Sequence, residues 1–278
     1  MTTDGAAPHD AASSRVRGDT AGWSVTHVAE TGSTNADLVR RVARGASHGE
    51  VLVADVQHRG RGRMGRVWQA PPGTALLFSA LLRLPAIPVA RRGWVGAVLG
   101  LAIVAAVRDR TGIEAGLKWP NDVLIGGSKV AGILAEMAGD DVVVVGAGLN
   151  VSVAAADLPR ADATSLVLSG ADPARCDRDV LLSAILGRYG ALLARWQAAG
   201  GDIDASGLRA EYLRSCFTVG SHVAVHLPDG TTVTGRAIDV APDGSIVIGS
   251  GGSLRQFAAG DVQHLRAFPI GETEVPEC

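Results

Sequence analysis

The strongest constraint on the fold is how few helix-length crossovers the middle of the chain offers. Short strand-like segments follow one another there: Glu50 to Gln57, Ala75 to Leu84, Leu117 to Ile125, Lys129 to Met137 and Val142 to Val145. One helix-length apolar run interrupts them, Gly93 to about Arg108, with Gly112 as its expected C-cap. Parallel neighbours need a crossover of about a dozen residues or more, so most of these strands have to pair antiparallel. The reading is α+β with a mixed or mainly antiparallel sheet, not a doubly wound parallel one. Val25 to Ala29 adds a strand, Thr31 to Asn35 leads into a helix ending near Gly45, and Asp179 to Ala199 is an amphipathic helix. After a short helix to about Ser215 the texture changes to brief alternating segments, punctuated by Pro228-Asp229-Gly230 and Pro242-Asp243-Gly244. That pattern suits a small SH3-like barrel. The expected organisation is a disordered tail over 1–22, a catalytic domain over 23–215, the barrel over 216–268 and a tail over 269–278.

Composition narrows the function classes. The net charge of -2 on 278 residues does not suit a protein built to coat nucleic acid. Cys176, Cys216 and Cys278 are widely spaced and form no CxxC, so no zinc cluster or disulfide framework is legible. The longest apolar run, Trp94 to Val107, is too short for a membrane span. The first 22 residues carry no apolar signal core, so the expectation is a soluble, cytoplasmic protein without membrane partners. One bias stands out. Only Lys118 and Lys129 are lysine, and only Asn35, Asn121 and Asn150 are asparagine, while arginine, glycine and alanine abound. A G+C-rich genome disfavours Lys and Asn codons, and Arg cannot replace Lys at a tight point-charge site. The five exceptions become candidate functional residues.

They fall in segments with chemistry of their own. Gly60-Arg61-Gly62-Arg63-Met64-Gly65-Arg66 places backbone N–H groups and guanidinium forks together, which suits an anion cradle. It lacks the Gly-Lys-Ser/Thr of a P-loop, and an Arg-Gly nucleic-acid binder is the rival reading. Lys118-Trp119-Pro120-Asn121-Asp122 gathers a cation, an aromatic, an amide and a carboxylate, and a polar strand end reads the same way. Lys129 opens an apolar strand, where it could also snorkel to water. Asn150 after Gly146-Ala147-Gly148 could be a turn residue. Ser33-Thr34-Asn35 could be a helix N-cap, which still leaves N–H groups suited to a carboxylate.

Taken in order, Gly32-Ser33-Thr34-Asn35, Gln57, Gly60 to Trp68, Lys118 to Asp122, Lys129-Val130-Ala131-Gly132-Ile133-Leu134-Ala135-Glu136 and Gly148-Leu149-Asn150-Val151 resemble the biotin protein ligases. The resemblance runs from about Trp23 to Arg266. It implies a catalytic domain like that of class II aminoacyl-tRNA synthetases, followed by an SH3-like domain. It also implies ATP and Mg2+ as cofactors, biotin as substrate, biotinyl-5'-AMP as intermediate and a lysine of a biotin carboxyl carrier domain of an acyl-CoA carboxylase as acceptor.

The same resemblance implies the site residues. Ser33, Thr34, Asn35, Gln57, Gly60, Arg61, Gly62, Arg63 and Lys129 correspond to the biotin side, with Lys129 and Arg63 catalytic. Arg61, Arg63, Arg66, Trp68, Lys118, Asn121 and Asn150 correspond to the nucleotide side, Trp68 stacking on adenine. Asp122 is a candidate metal ligand. Arg59 departs from the small residue, usually alanine, that precedes the loop in this family. About 22 unpatterned residues precede Trp23, so ligase activity without DNA binding is expected. The alternatives are a lipoate ligase or octanoyl transferase of the same fold, or a non-catalytic biotin-sensing or RNA-binding module.

Overall fold

The computed structural model describes residues 22–227, 230–258 and 261–264. The tails expected over 1–22 and 269–278 lie outside them, Gly22 apart, as do Pro228 and Asp229 of one expected turn. The chain runs β1 (Ser24–Thr31), α1 (Thr34–Val42), β2 (Glu50–Gln57), β3 (Ala75–Arg83), α2 (Trp94–Thr111), β4 (Gly116–Lys118), β5 (Asp122–Ile125), β6 (Ser128–Met137), β7 (Val142–Asn150), α3 (Arg178–Ala198) and α4 (Leu208–Ser215). The small strands β8 (His222–His226), β9 (Thr232–Val240), β10 (Ile246–Ser250), β11 (Ser253–Phe257) and β12 (Asp261–His264) follow. A seven-stranded sheet has the order β1-β2-β3-β7-β6-β5-β4. Within it β1 and β2 are parallel and the other neighbours antiparallel, so the sheet is mixed.

Strand alternation divides the core. Val51 and Val53, Ala80 and Leu82, and Val143 and Val145 face the main core with α2 and α3, whereas Leu52, Leu81, Val142 and Val144 face α1 and Leu38. Helix α2 is apolar on all sides because it is enclosed by the sheet on one side and α3 on the other. Gly112 ends it in the left-handed conformation (φ 75°), as its sequence position suggested. The α1 face of the sheet is filled only toward α1. Beyond Ser79 it carries Gly132, Gly146 and Gly148, and the open floor they make is where the site lies.

The C-terminal strands form a separate antiparallel sheet, β11-β10-β9-β8-β12, with the SH3-like character expected. Its 242–244 turn is clasped by two indoles: Trp94 Nε1 donates to Pro242 O at 2.8 Å and Trp119 Nε1 to Gly244 O at 2.9 Å. The expected strand from Leu117 to Ile125 is two strands. Trp119-Pro120-Asn121 turns the chain between β4 and β5, and Lys118 pairs with Asp122 across the hairpin. The strand expected over Val142 to Val145 runs on through Gly146 to Asn150, buried throughout, so Asn150 ends β7 and is not the turn residue it could have been.

Candidate active site

Helix α1, strands β2, β3, β5, β6 and β7 and the loops beside them supply one cleft. At one end Ser33 caps α1, its side chain accepting from Ala36 N, so the N-cap reading of that segment holds while the residue also lines the cleft. Thr34 N donates to Gln57 Oε1 at 2.8 Å, and Thr34 Oγ1 lies 2.7 Å from Ser79 Oγ. Ser79 Oγ in turn donates to Asn35 Oδ1 at 2.5 Å. Because Ser79 has one proton and spends it on Asn35, the Thr34 hydroxyl proton is shared between Ser79 Oγ at 2.7 Å and Gln57 Oε1 at 3.2 Å. Thr34 Oγ1 therefore keeps lone pairs toward the cleft, and Gln57 keeps its amide N–H groups. The result is a narrow polar slot with acceptors and donors side by side. Gly146 makes room for it, since a Cβ there would run into Asn35 Oδ1.

The arginine loop covers this slot as a folded hairpin, more ordered than its glycines suggest. Trp68 N donates to Gly60 O at 2.9 Å and Gly62 N to Arg66 O at 2.7 Å. Gly60 is required where the strands of the neck converge, because a Cβ would collide with Trp68 O. At the tip Met64 (φ 56°) and Gly65 (φ 72°) are both left-handed. Arg59 lies outside the hairpin: its backbone N donates to Gly32 O at 2.8 Å and its guanidinium covers Gly32. The Trp68 indole rests on the floor of Gly132 and Gly148, and a Cβ at Gly132 would stand 2.9 Å from Trp68 Cζ3. Trp68 Nε1 is buried without a hydrogen-bond partner.

Lys129 reaches this floor through a β-bulge. Val123 pairs with Ala131 but Leu124 with Lys129, so β6 carries Val130 as an extra residue. Three residues from Gly132, Lys129 would point into the α2 core in a regular strand; the bulge re-aims it to the cleft. Its Nζ lies 5.5 Å from the Trp68 ring centroid and 2.6 Å from Asp122 Oδ1. The latter contact is an ion pair poorly aligned as a hydrogen bond, since Asp122 Oδ1 finds no hydrogen-bond donor. Lys129 N donates to Asp162 O at 2.7 Å and Lys129 O accepts from Thr164 N at 2.8 Å, so the 160–164 segment walls this end. Asn150 Nδ2 donates to Thr164 O at 3.0 Å, and Asn121 Nδ2 to Ile133 O at 2.8 Å.

The cleft is thus lined by Ser33, Thr34, Asn35, Gln57, Arg61, Gly62, Arg63, Arg66, Trp68, Asn121, Asp122, Lys129 and Asn150. Gly60 supports the loop from its neck. Lys118 is not among the lining residues; paired opposite Asp122, it sits one strand farther out on the same face. Its charge instead helps hold the Asp162 carboxyl below its ordinary range, after the larger effect of the Arg160 hydrogen bonds. Among the described residues no group of three or more His, Cys, Asp or Glu side chains could hold a metal.

Comparison with known proteins decides the family. Residues 31–150 match the Biotin/lipoate A/B protein ligase family and residues 218–265 the Biotin protein ligase C terminal domain. The chain is 42% identical to the biotin--[acetyl-CoA-carboxylase] ligase of Mycobacterium tuberculosis over 88% of its own length and 91% of that protein's. The chain belongs to the biotin protein ligase family.

Its fold is similar to that of the biotin protein ligase from Aquifex aeolicus in complex with biotin and ATP, with a TM-score of 0.71 at 26% identity over 87% of this chain and 99% of that one. It is also 28% identical to the bifunctional ligase/repressor of Bacillus subtilis, over 78% of this chain and 67% of that protein. Within this ligase cleft the structure adds residues that sequence reasoning passed over. Ser79 is hidden in an otherwise apolar strand, Arg160 lies beyond any motif, and Glu136 closes a motif without having been given a role. For Ser79 the available signal was a lone hydroxyl at a fully buried strand position.

Proposed function

We infer that this chain activates biotin with ATP as biotinyl-5'-AMP and transfers the acyl group to a lysine of a biotin carboxyl carrier domain of acetyl-CoA carboxylase. One observation carries the reading: a single cleft sets a donor–acceptor slot, a lysine with flanking arginines and an indole in sequence along one glycine floor. A cyclic urea offers two N–H donors and a carbonyl, which match the free lone pairs of Thr34 and the amide N–H groups of Gln57. Ser33 and Asn35 frame that slot.

The tail carboxylate then points toward Lys129 and Arg63. Two anions must meet there, and Lys129, Arg61 and Arg63 lower their repulsion and stabilise the charge that builds on the phosphoryl oxygens. A carboxylate oxygen attacks the α-phosphorus, the bond to the bridging oxygen breaks and pyrophosphate leaves. In the second step the uncharged acceptor amine attacks the acyl carbon and AMP departs with the anhydride oxygen.

Trp68 offers its half-exposed ring to adenine, and Arg66, Asn121 and Asn150 line the nucleotide side. Lys118, one strand out, acts on phosphate only at a distance. Asp122 serves as counter-ion to Lys129. Among the described residues no acidic cage fits a magnesium ion, so magnesium is expected to arrive with the ATP phosphates. The arginine hairpin keeps water from a hydrolysable anhydride. On this reading the reaction belongs in the cytoplasm, where ATP and the acceptor are expected, and gives DNA and membrane no part.

ATP–pyrophosphate exchange tests the reading: exchange dependent on biotin and not on lipoate is expected. Exchange driven by lipoate, or none with either acid, would sink it.

A further inference from the structure

Glu136 lies at the edge of the cleft, on the same face of β6 as Gly132 and Leu134. Its Oε2 accepts two hydrogen bonds of 2.8 Å each, one from Asn35 Nδ2 and one from Arg61 NH2. Asn35 is otherwise bonded to Leu134 O and to Ser79, so both of its N–H groups are used inside the protein. An unbroken relay therefore runs from Gln57 through Thr34, Ser79, Asn35 and Glu136 to the loop arginine. Arg61 is anchored by one corner of its guanidinium, and its other N–H groups remain for an anion. The hairpin is also held by its own backbone bonds and by the Trp68 ring on the glycine floor.

We propose that Glu136 is a positioning residue: it ties the arginine loop to the biotin slot, so that filling the slot and seating the loop reinforce one another. This rests on the biotin-ligase reading for the identity of the ligand, but not for the tie itself. A carboxylate suits the position, because charge-assisted bonds to Asn35 and Arg61 are roughly twice as strong as neutral ones. At half exposure the direct ion pair alone contributes little to stability, so the effect belongs to loop placement and not to folding.

The test is a cycle of Glu136→Gln, Glu136→Ala and Arg61→Ala, read in two ways. Hydrogen exchange in the ligand-free protein should quicken across residues 60–68, about threefold for Glu136→Gln and tenfold or more for Glu136→Ala. Biotin affinity by calorimetry should fall by similar factors, with thermal midpoints unchanged. In an Arg61→Ala background neither Glu136 variant should add to either loss. Wild-type exchange rates in Glu136→Gln and Glu136→Ala, or losses that persist in full without Arg61, would overturn the proposal. If Glu136→Ala does not fold, the Glu136→Gln pair decides alone. A wild-type protein that binds no biotin would remove the functional reading, while the exchange arm still scores the tie.

Discussion

At the scale of single residues the site is built by what is missing as much as by what is present. Gly148 is the clearest case: a glycine in a central strand weakens that strand, and here the missing side chain is the seat of the Trp68 ring. Gly148→Ala should leave the thermal midpoint unchanged or slightly raised, while displacing the indole. ATP affinity, read by calorimetry, is expected to fall by up to about 1–3 kcal/mol, the range for stacking a base on an aromatic ring. Biotin affinity should hardly move. Lys129 is the opposite case, a side chain whose charge does the chemistry. Lys129→Ala should cost about 3 kcal/mol of transition-state stabilisation, a hundredfold or more in biotin-dependent ATP–pyrophosphate exchange, with the fold intact. Lys129→Arg should recover little, because a planar fork does not fit where a compact ammonium meets Asp122 at 2.6 Å. Near-normal exchange in either variant would remove Lys129 from the reaction.

At the scale of elements, the turn between β9 and β10 joins the barrel to the catalytic sheet. Asp243 Oδ1 accepts from Ser245 N at 3.0 Å, Ser245 Oγ at 2.5 Å and Gln256 Nε2 at 3.2 Å. The Ser245 hydroxyl, chiefly, holds the Asp243 carboxyl below its ordinary range. A lowered folded-state pKa means that the stabilisation is complete above the unfolded value, about 3.9, and is lost as pH falls through the folded one. Acid below about pH 4 should therefore loosen the turn that Trp94 and Trp119 clasp. Their fluorescence should shift first, and Asp243→Asn should abolish that early phase. Identical acid titrations of the two proteins would count against this role.

Elements also separate what the sequence could show from what it could not. Hydrophobic period and glycine punctuation located β2, β3, α2 and α3 to within about three residues, because those elements bury one face or all faces. The Lys118–Asp122 hairpin was read as part of one strand, since alternation persists across it. The bulge at Val130 has no local signature; it arises from register against β5. Trp119, read beside the site's polar groups, is buried and serves the barrel, a tertiary fact that motif order does not contain.

At the scale of the whole molecule, motif order joined segments more than a hundred residues apart into one cleft, and nearly every candidate residue lines it. The same molecule holds its two lysines in unusual company: Lys118 is half-buried beside the field of Asp162, and Lys129 is paired with Asp122 under the Trp68 ring. Its many surface guanidiniums stay protonated and are poor nucleophiles. The protein is in effect armoured against the acylating agent it makes. Peptide mapping after long incubation with biotin and ATP, without acceptor, should find both lysines unmodified; heavy labelling of either would show it to be free and reactive. For a chemist the same arrangement turns an amine-selective reagent such as acetic anhydride into a titrant. Lysine amines stand at only two positions, one of them inside the cleft, so any loss of activity should track modification of Lys129 and not of Lys118, and ligand should shield it.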